Sequence, residues 1–107
     1  MVVINQEAQK QDLGGGLSRK MLALGGGMMA VEVSFEKGGI GAVHSHPHEQ
    51  ITYVLKGSFE LNMNGEKSII SQGDTYYTEP NLPHGVVALE DGMLLDVFTP
   101  QREDFLK

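Results

Sequence analysis

Three histidines and one glutamine of this sequence are spaced as the ligands of a metal ion. His44, His46 and Gln50 lie within the segment HSHPHEQ, and His84 follows much later in EPNLPHG. Side chains two residues apart in a strand point to the same face, so His44 and His46 are predicted to project together from one strand. Imidazole nitrogens and an amide oxygen suit divalent Zn, Ni, Fe, Mn or Cu. A hairpin or a barrel closure that returns His84 to the other three residues would complete this site.

The charge of these predicted ligands also indicates what kind of molecule the site would bind. Three imidazoles and an amide are all neutral, so a divalent ion held by them retains its full double charge. A glutamate in place of Gln50 would reduce that charge by one unit. The more cationic centre favours anionic substrates and polarises a bound oxygen more strongly.

Length and composition exclude several classes of protein. The chain has 107 residues, which predicts a single domain over residues 1–107. A net charge of −6 argues against nucleic acid as the main partner, and no basic amphipathic stretch indicates a membrane surface. Cysteine is absent, which excludes disulfides and thiolate chemistry. The N-terminal segment has no apolar run long enough for a signal peptide or a membrane span, so we expect a cytoplasmic protein.

The elements that must position the site are predicted to be β-strands. Short apolar stretches alternate with glycine-rich turns, a pattern typical of an all-β sandwich or barrel. Asn64-Gly65 is the strongest hairpin signal and Asp91-Gly92 is a second one. After Thr99-Pro100 the tail is predicted to form a turn or two of helix, with Thr99 as its N-cap. The predicted strands are Leu17–Leu24, Met29–Phe35, Gln50–Lys56, Ser58–Met63, Glu66–Ile70, Thr75–Thr78, Gly85–Leu89 and Met93–Phe98.

Two motifs of the chain resemble those of the cupin superfamily. Gln50 stands where the first motif usually has glutamate, and Asn81 stands where the second usually has glycine, a change that asparagine tolerates in the left-handed conformation. The resemblance implies a double-stranded β-helix (a jelly-roll barrel) in which His44, His46, Gln50 and His84 bind the metal. The residues that match the two motifs are Gly38, His44, His46, Gln50 and Gly57 in the first, and Gly73, Pro80 and His84 in the second.

From Leu13 onward the chain looks like the small single-domain cupins of the KdgF type. The segments HSHPHEQITYVLKGSFE, LPHG and LLDVFTPQREDFL carry this likeness. The resemblance implies an enzyme that converts 4,5-unsaturated uronates, released from pectin or alginate, to linear 5-keto-4-deoxyuronates. Its partner would be a small anionic sugar. We also expect a homodimer, because small cupins are commonly dimers and exposed edge strands benefit from pairing.

The tail motif D-x-F-x-x-x-R supplies the residues expected to act on the substrate. Asp96 lies in an apolar strand, where a carboxylate is costly unless it is paired or functional, and it would move the proton. Its alternative is a solvent-facing aspartate near the barrel rim. Phe98 either walls the substrate pocket or simply packs in the core. Arg102 either pairs with the uronate carboxylate or is a solvated helix residue.

Three further interpretations remain open from the sequence. His48 shares the parity of His44 and His46, but in the family the next ligand is at position 50, so we expect it beside the ligands or on the surface. Arg19 and Lys20 are additional cations that could assist binding. The protein could instead be another metal cupin, such as a dioxygenase that uses Fe and O₂, or a non-catalytic sugar-binding or sensor module.

Overall fold

The computed structural model describes residues 1–106, in which β-strands predominate. Two short 3-10 turns lie near the ends, at Asn5–Glu7 and Glu103–Leu106. The strands of the described residues are β1 (Lys10–Gly14), β2 (Leu17–Gly25), β3 (Met28–Phe35), β4 (Ile40–His44), β5 (Glu49–Lys56), β6 (Ser58–Met63), β7 (Glu66–Ser71), β8 (Thr75–Thr78), β9 (His84–Ala88) and β10 (Gly92–Thr99).

The strands form two antiparallel sheets that face each other. The larger sheet has the order β1-β2-β3-β10-β5-β8, and the smaller has the order β4-β9-β6-β7. After β3 the chain passes back and forth between the sheets, as in a jelly roll, except that β6 and β7 are neighbours in the smaller sheet. The two inner faces therefore enclose one interior, and any polar side chain on an inner face is directed into it.

The interior is apolar where the two sheets pack most closely. Phe35 of β3 meets Phe59 of β6 edge to face across the sheets, with ring centroids 5.1 Å apart. In β5 the burial alternates, so that Gln50, Thr52 and Val54 are buried while Ile51 is exposed. Burying a large apolar side chain contributes about 1.5–3 kcal/mol, which fixes the register of each strand. The same register places two polar residues, Gln50 and Thr52, inside the protein.

Most of the predicted strands are confirmed to within one or two residues, and so is the Asn64-Gly65 turn. Asn64 and Gly65 have φ values of 53° and 88°, as a type I′ turn requires. Two strands were missed by the sequence analysis. β1 is exposed along its length, and β4 is interrupted by Gly41 and mostly exposed, so neither shows the alternation that reveals a half-buried strand.

The Asp91-Gly92 hairpin was wrong, because β9 and β10 belong to different sheets. Gly92 is required instead by close packing against Phe59 and Lys56. A Cβ at this position would lie 2.7 Å from Cζ of Phe59 and 2.9 Å from the carbonyl oxygen of Lys56. Glycine is therefore needed here for close packing at a sheet crossing rather than for a turn.

The C-terminal helical turn is confirmed, but it begins at Glu103 rather than at Pro100. Thr99 is still paired with Glu49 in the sheet, so its backbone is extended and the helix starts only after the chain has left β10. The last residue of the predicted helical tail, Lys107, lies outside the described residues.

The edges and the outer face of the larger sheet bear on the predicted homodimer. β8 ends this sheet, and its Tyr77 is 53% exposed beside Ile51, which is 54% exposed. An exposed edge with apolar neighbours is a surface that a second subunit could cover. The homodimer nevertheless stays a prediction.

None of the helices among residues 1–106 has the length and apolar character needed to cross a membrane.

Candidate metal centre

The pairing of β4 with β9 brings His44 and His84 face to face. They are directly opposite each other in the register, and their ring centroids lie 4.7 Å apart. The register between these strands shifts between Gly41 and His44. Gly85 permits this approach, since a Cβ there would lie 2.8 Å from the carbonyl oxygen of Gly41. Residues 40 positions apart in the chain thus share one face of the smaller sheet.

His46 joins this pair from a loop rather than from the strand. β4 ends at His44, so the prediction that His44 and His46 project from a single strand was wrong. The cause is that the pairing of β4 with β9 ends at the His44–His84 pair. The loop is instead tied across the site, where the backbone N–H of Asn81 donates to the carbonyl of His46 over 2.7 Å. Asn81 has a φ of 66°, the left-handed conformation expected of it.

The three histidines present nitrogen atoms to a common point. One ring nitrogen of each lies within 4.8 Å of the others. Nδ1 of His44 and Nδ1 of His84 are each 2.8 Å from a backbone carbonyl, of Ala42 and of Leu82 respectively. Nδ1–H donates in each case, which leaves Nε2 as the available ligand atom. Among residues 1–106, the buried Nε2 of His84 has no hydrogen-bond partner, so the three histidines could hold a metal ion.

Gln50 turns its amide oxygen toward His46 of this cluster. Its Oε1 lies 3.1 Å from Nε2 of His46, while its Nε2 donates to Oγ1 of Thr52 over 2.8 Å. Ligand atoms that lie about 2.1 Å from one ion and at right angles to each other are about 3.0 Å apart. The separation of the Gln50 oxygen from the His46 nitrogen therefore fits two ligands of a shared ion.

Two histidines of the cluster, His46 and His84, have lowered pKa values that favour the neutral form metals bind. The pKa of His46 is lowered to about 4, chiefly by burial and further by the nearby charges of Arg102, His84 and His44, while the contact with Gln50 acts in the opposite direction. Burial also lowers the pKa of His84. Because a protonated imidazole cannot bind a metal, these shifts reduce competition from protons near neutral pH.

Asp96 lies on β10 beside Gln50, directed into the interior. Its Oδ1 accepts a hydrogen bond from Oγ1 of Thr52 over 2.7 Å and another from Nε2 of Gln50 over 3.2 Å. Burial raises the pKa of Asp96 to about 6, although both hydrogen bonds act in the opposite direction. The structure thus connects the carboxyl group to the histidine cluster through a single glutamine side chain.

The raised pKa predicts that the Asp96→Asn change stabilises the metal-free protein at high pH. The pKa of Asp96 is 3.8 in the unfolded chain and about 6 in the folded protein, so its ionisation opposes folding most fully once the pH exceeds both values. Asparagine keeps the accepted hydrogen bonds without the charge. We expect a gain of about 1–3 kcal/mol in the free energy of unfolding at pH 8.

This gain should shrink as the pH falls from 6 toward 4 and should vanish below that range, where Asp96 is protonated in both states. Urea unfolding of both proteins with a chelator present, at pH 8 and at pH 4, measures the difference. The histidines are common to both proteins, so their own titration largely cancels. A gain that does not change with pH would show that the buried charge is not its cause.

His48 and Phe98 pack around the cluster. The His48 ring is 5.4 Å from that of His46 and 6.5 Å from that of Phe98, but His48 is not one of the clustered histidines. Phe98 is 2% exposed and meets the His46 ring edge to face at 5.7 Å. Phe98 therefore belongs to the core and also borders the site, so the two interpretations of this residue are compatible.

Arg102 is buried rather than solvated. Its Nε donates to Oδ1 of Asp104 over 3.1 Å and its Nη2 donates to Oδ2 over 2.8 Å. Its guanidinium also lies 4.2 Å from the ring centroid of Phe105 and 5.2 Å from that of Phe98. One edge of the planar group is consequently occupied by Asp104.

A cavity of about 150 Å³ connects these residues. Its size is below the roughly 300–1,000 Å³ of pockets for drug-sized ligands, so it suits a small molecule. The walls are largely apolar, with Phe98 and Phe105 among them. The polar and charged side chains that line the cavity are Arg19, His44, Gln50, Tyr76, His84, Asp96 and Arg102.

The sequence analysis did not identify Thr52 and Tyr76 as site residues. Thr52 is opposite Asp96 on one side and Tyr76 on the other, so the three form a row across β10, β5 and β8. Thr52 was detectable, since it is two residues from Gln50 on a strand and shares its face. Tyr76 had no such signal, because only the register of β5 with β8 brings it there. Burial, together with the charge of Asp96, raises the pKa of Tyr76, so its phenol stays neutral.

This combination of two antiparallel sheets with a histidine cluster inside is that of a cupin. The Cupin domain family matches residues 31–98, and the chain belongs to the cupin family. The predicted fold and the resemblance on which it rested are thereby confirmed.

The chain is also similar to particular cupins. It is 47% identical over 105 residues to the pectin degradation protein KdgF of Dickeya dadantii, and the alignment covers 96% of each chain. The structure of KdgF from Halomonas sp. has a TM-score of 0.94 at 41% identity, covering 98% of this chain and 97% of that one. An RmlC-like cupin from Shewanella frigidimarina has a TM-score of 0.94 at 39% identity, covering 97% and 94%.

Proposed function

We propose that this protein is a metal-dependent enzyme that converts 4,5-unsaturated uronates to linear 5-keto-4-deoxyuronates. The observation that carries the proposal is the connection from the histidine cluster through Gln50 to the carboxyl of Asp96, inside one small cavity. Such an arrangement combines a site for a cation with a group able to move protons. The 47% identity to a pectin degradation protein supports this class of substrate.

The charges around the cavity support an anionic substrate. The whole chain has a net charge of −6, yet the cavity lining includes two arginines, Arg19 and Arg102. A cation held by His44, His46, Gln50 and His84 would add further positive charge, since all four are neutral. When bound, a divalent ion would act as a Lewis acid and stabilise negative charge on an oxygen of the substrate.

The reaction is an isomerisation, so that it needs no second reactant. The hydroxyl at C1 loses its proton and becomes the aldehyde, and the bond between C1 and the ring oxygen breaks. The ring oxygen remains on C5 as an enolate. C4 then receives a proton and C5 becomes a ketone, so the net change is the transfer of one proton from the C1 oxygen to C4.

Asp96 is the group in the cavity suited to carry that proton. Its pKa is raised to about 6 by burial, close to neutral pH, where a carboxyl group can both accept and return a proton. Thr52 and Gln50 donate to one and the same oxygen of Asp96, which holds the carboxyl in place. Phe98 and the other apolar walls exclude water from the enolate.

The proposal is tested by adding the metal-loaded protein to freshly prepared unsaturated galacturonate. We expect the ultraviolet absorbance of the conjugated alkene to decay faster than in a protein-free control. Zn, Ni, Fe, Mn and Cu are each loaded in turn, and unsaturated uronates from alginate are tested alongside. Rates equal to the uncatalysed rate with every metal would reject the proposal. Oxygen uptake with Fe would indicate the dioxygenase alternative, and sugar binding without turnover would indicate a binding module.

A further inference from the structure

Arg19 lines the cavity from β2, whereas Arg102 lines it from the C-terminal tail. Its guanidinium lies 3.9 Å from the ring centroid of Phe105, and that of Arg102 lies 4.2 Å from the same ring. Nε of Arg19 donates to the side-chain oxygen of Gln11 over 2.9 Å. The stacked ring and this hydrogen bond together hold the guanidinium plane at the wall of the cavity.

Arg19 forms no salt bridge among the described residues. No carboxylate among residues 1–106 lies within 4.0 Å of its side-chain nitrogens, whereas Arg102 is paired with Asp104. Arg19 is partly buried, and burial is the main cause that lowers its pKa; the nearby Asp104 acts in the opposite direction and Arg102 in the same direction. A partly buried guanidinium that lines a cavity and has no direct carboxylate partner is available to an anionic ligand.

The two arginines therefore differ in what they can offer. The pairing with Asp104 uses one edge of the Arg102 guanidinium and offsets its charge. Arg19 has only its Nε engaged by a protein group among the described residues, and that partner, Gln11, is neutral. The terminal nitrogens of Arg19 form a fork that matches the two oxygens of a carboxylate.

We propose that Arg19 binds the carboxylate of the substrate through this fork and sets the preference for acidic over neutral sugars. The inference rests on the proposed function for the identity of the sugar, but its physical content is the recognition of a carboxylate in this cavity. Arg102, already paired, supports the same end of the cavity by positioning Phe105 and Phe98.

The test compares the affinity of the zinc-loaded protein for galacturonate with that for its neutral methyl ester, by isothermal titration calorimetry. The wild type is expected to prefer the acid. Arg19→Gln should weaken binding of the acid roughly tenfold to hundredfold, as expected for loss of a charge-assisted pair, and should leave the ester nearly unchanged. Arg19→Lys keeps the charge but not the fork, and it should lose part of the preference.

Lys20→Gln is the matched control, since it removes the same charge one residue further along β2. The Lys20 side chain donates hydrogen bonds to Asn5 and does not line the cavity. The acid-to-ester affinity ratio of the Lys20→Gln variant should therefore equal that of the wild type. Circular dichroism verifies the fold of each variant. An acid-to-ester affinity ratio equal to that of the wild type in either Arg19 variant overturns the inference. An acid-to-ester ratio near one in the wild type itself also overturns it.

This binding measurement separates the inference from the proposed function. Suppose the wild type turns over the unsaturated uronate, but the Arg19 variants keep the wild-type ratio of acid to ester affinity. The proposed function then stands and the inference about Arg19 fails. If no turnover exists but Arg19→Gln abolishes the preference for the acid, the carboxylate site stands and the reaction is a different one.

Discussion

Replacing Asp96 with asparagine is expected to lower kcat for the unsaturated uronate roughly a hundredfold to ten-thousandfold, the usual contribution of a general acid–base group. The amide has the same shape as the carboxyl and can still accept from Thr52 and Gln50 at its oxygen. It cannot, however, accept and return the proton. Metal content and galacturonate affinity should stay near the wild-type values, since the fold and the histidines are untouched.

Asp12→Asn provides the control for this experiment. Asp12 is an exposed acid on β1 whose Oδ1 accepts from the backbone of Gly14, a bond that asparagine can also form. The kcat of the Asp12→Asn variant should equal that of the wild type. If kcat of the Asp96 variant stays within about threefold of the wild type, against that hundredfold or greater expectation, Asp96 is not the proton carrier. The raised pKa would then be only a consequence of burial.

Replacing His84 with alanine is expected to reduce the affinity for the metal at least about a hundredfold, because even groups that only support a ligand are worth 10- to 100-fold. The ring is buried, and its Nε2 has no other partner among the described residues. Elemental analysis and competition with a chelator measure the loss. Turnover should fall in parallel with metal content.

The variant His48→Ala tests whether His48 binds the metal or only lies next to a residue that does. Its side chain lies beside His46 but outside the group of three clustered histidines. We therefore expect it to bind metal with an affinity within about tenfold of the wild type, at the lower end of the effect of a supporting residue. Equal losses in the His48 and His84 variants would contradict the assignment of the cluster. Retention of the metal by both would place the ion elsewhere.

The strands that sequence reasoning identified carry apolar and β-branched residues between turn signals, and β5 also alternates regularly between water and the interior. In β3, Met29 and Val31 are fully buried as the pattern predicts, but Glu32 between the two predicted core positions Val31 and Val33 is buried as well. β1 and β4 contribute little to the core and carry no such signal, so that they were missed. The Asp91-Gly92 turn was misread because a glycine required by the Phe59 ring has the same sequence signature as a glycine required by a turn.

The candidate site shows a similar division. The types of residue in the site can be read directly from the sequence. The resemblance to cupins then selected His44, His46, Gln50 and His84 as the candidate ligands. The route by which His46 arrives was not predictable. It depends on where the pairing of β4 with β9 stops and on a hydrogen bond from Asn81 in a different loop.

Side-chain chemistry and short-range periodicity in the sequence were sufficient to predict a set of neutral candidate ligands and a β-rich fold. Three features were revealed by the folded protein alone: Asp96 shares a hydrogen-bonded group with Gln50, Arg102 is paired with Asp104, and Arg19 lines the cavity without a salt bridge among the described residues. Arg102 and Asp104 are two residues apart in the tail, and their contact depends on how that tail folds. The other two features bring together segments far apart in the chain, and short-range residue patterns do not specify which strands pair or how the two sheets pack.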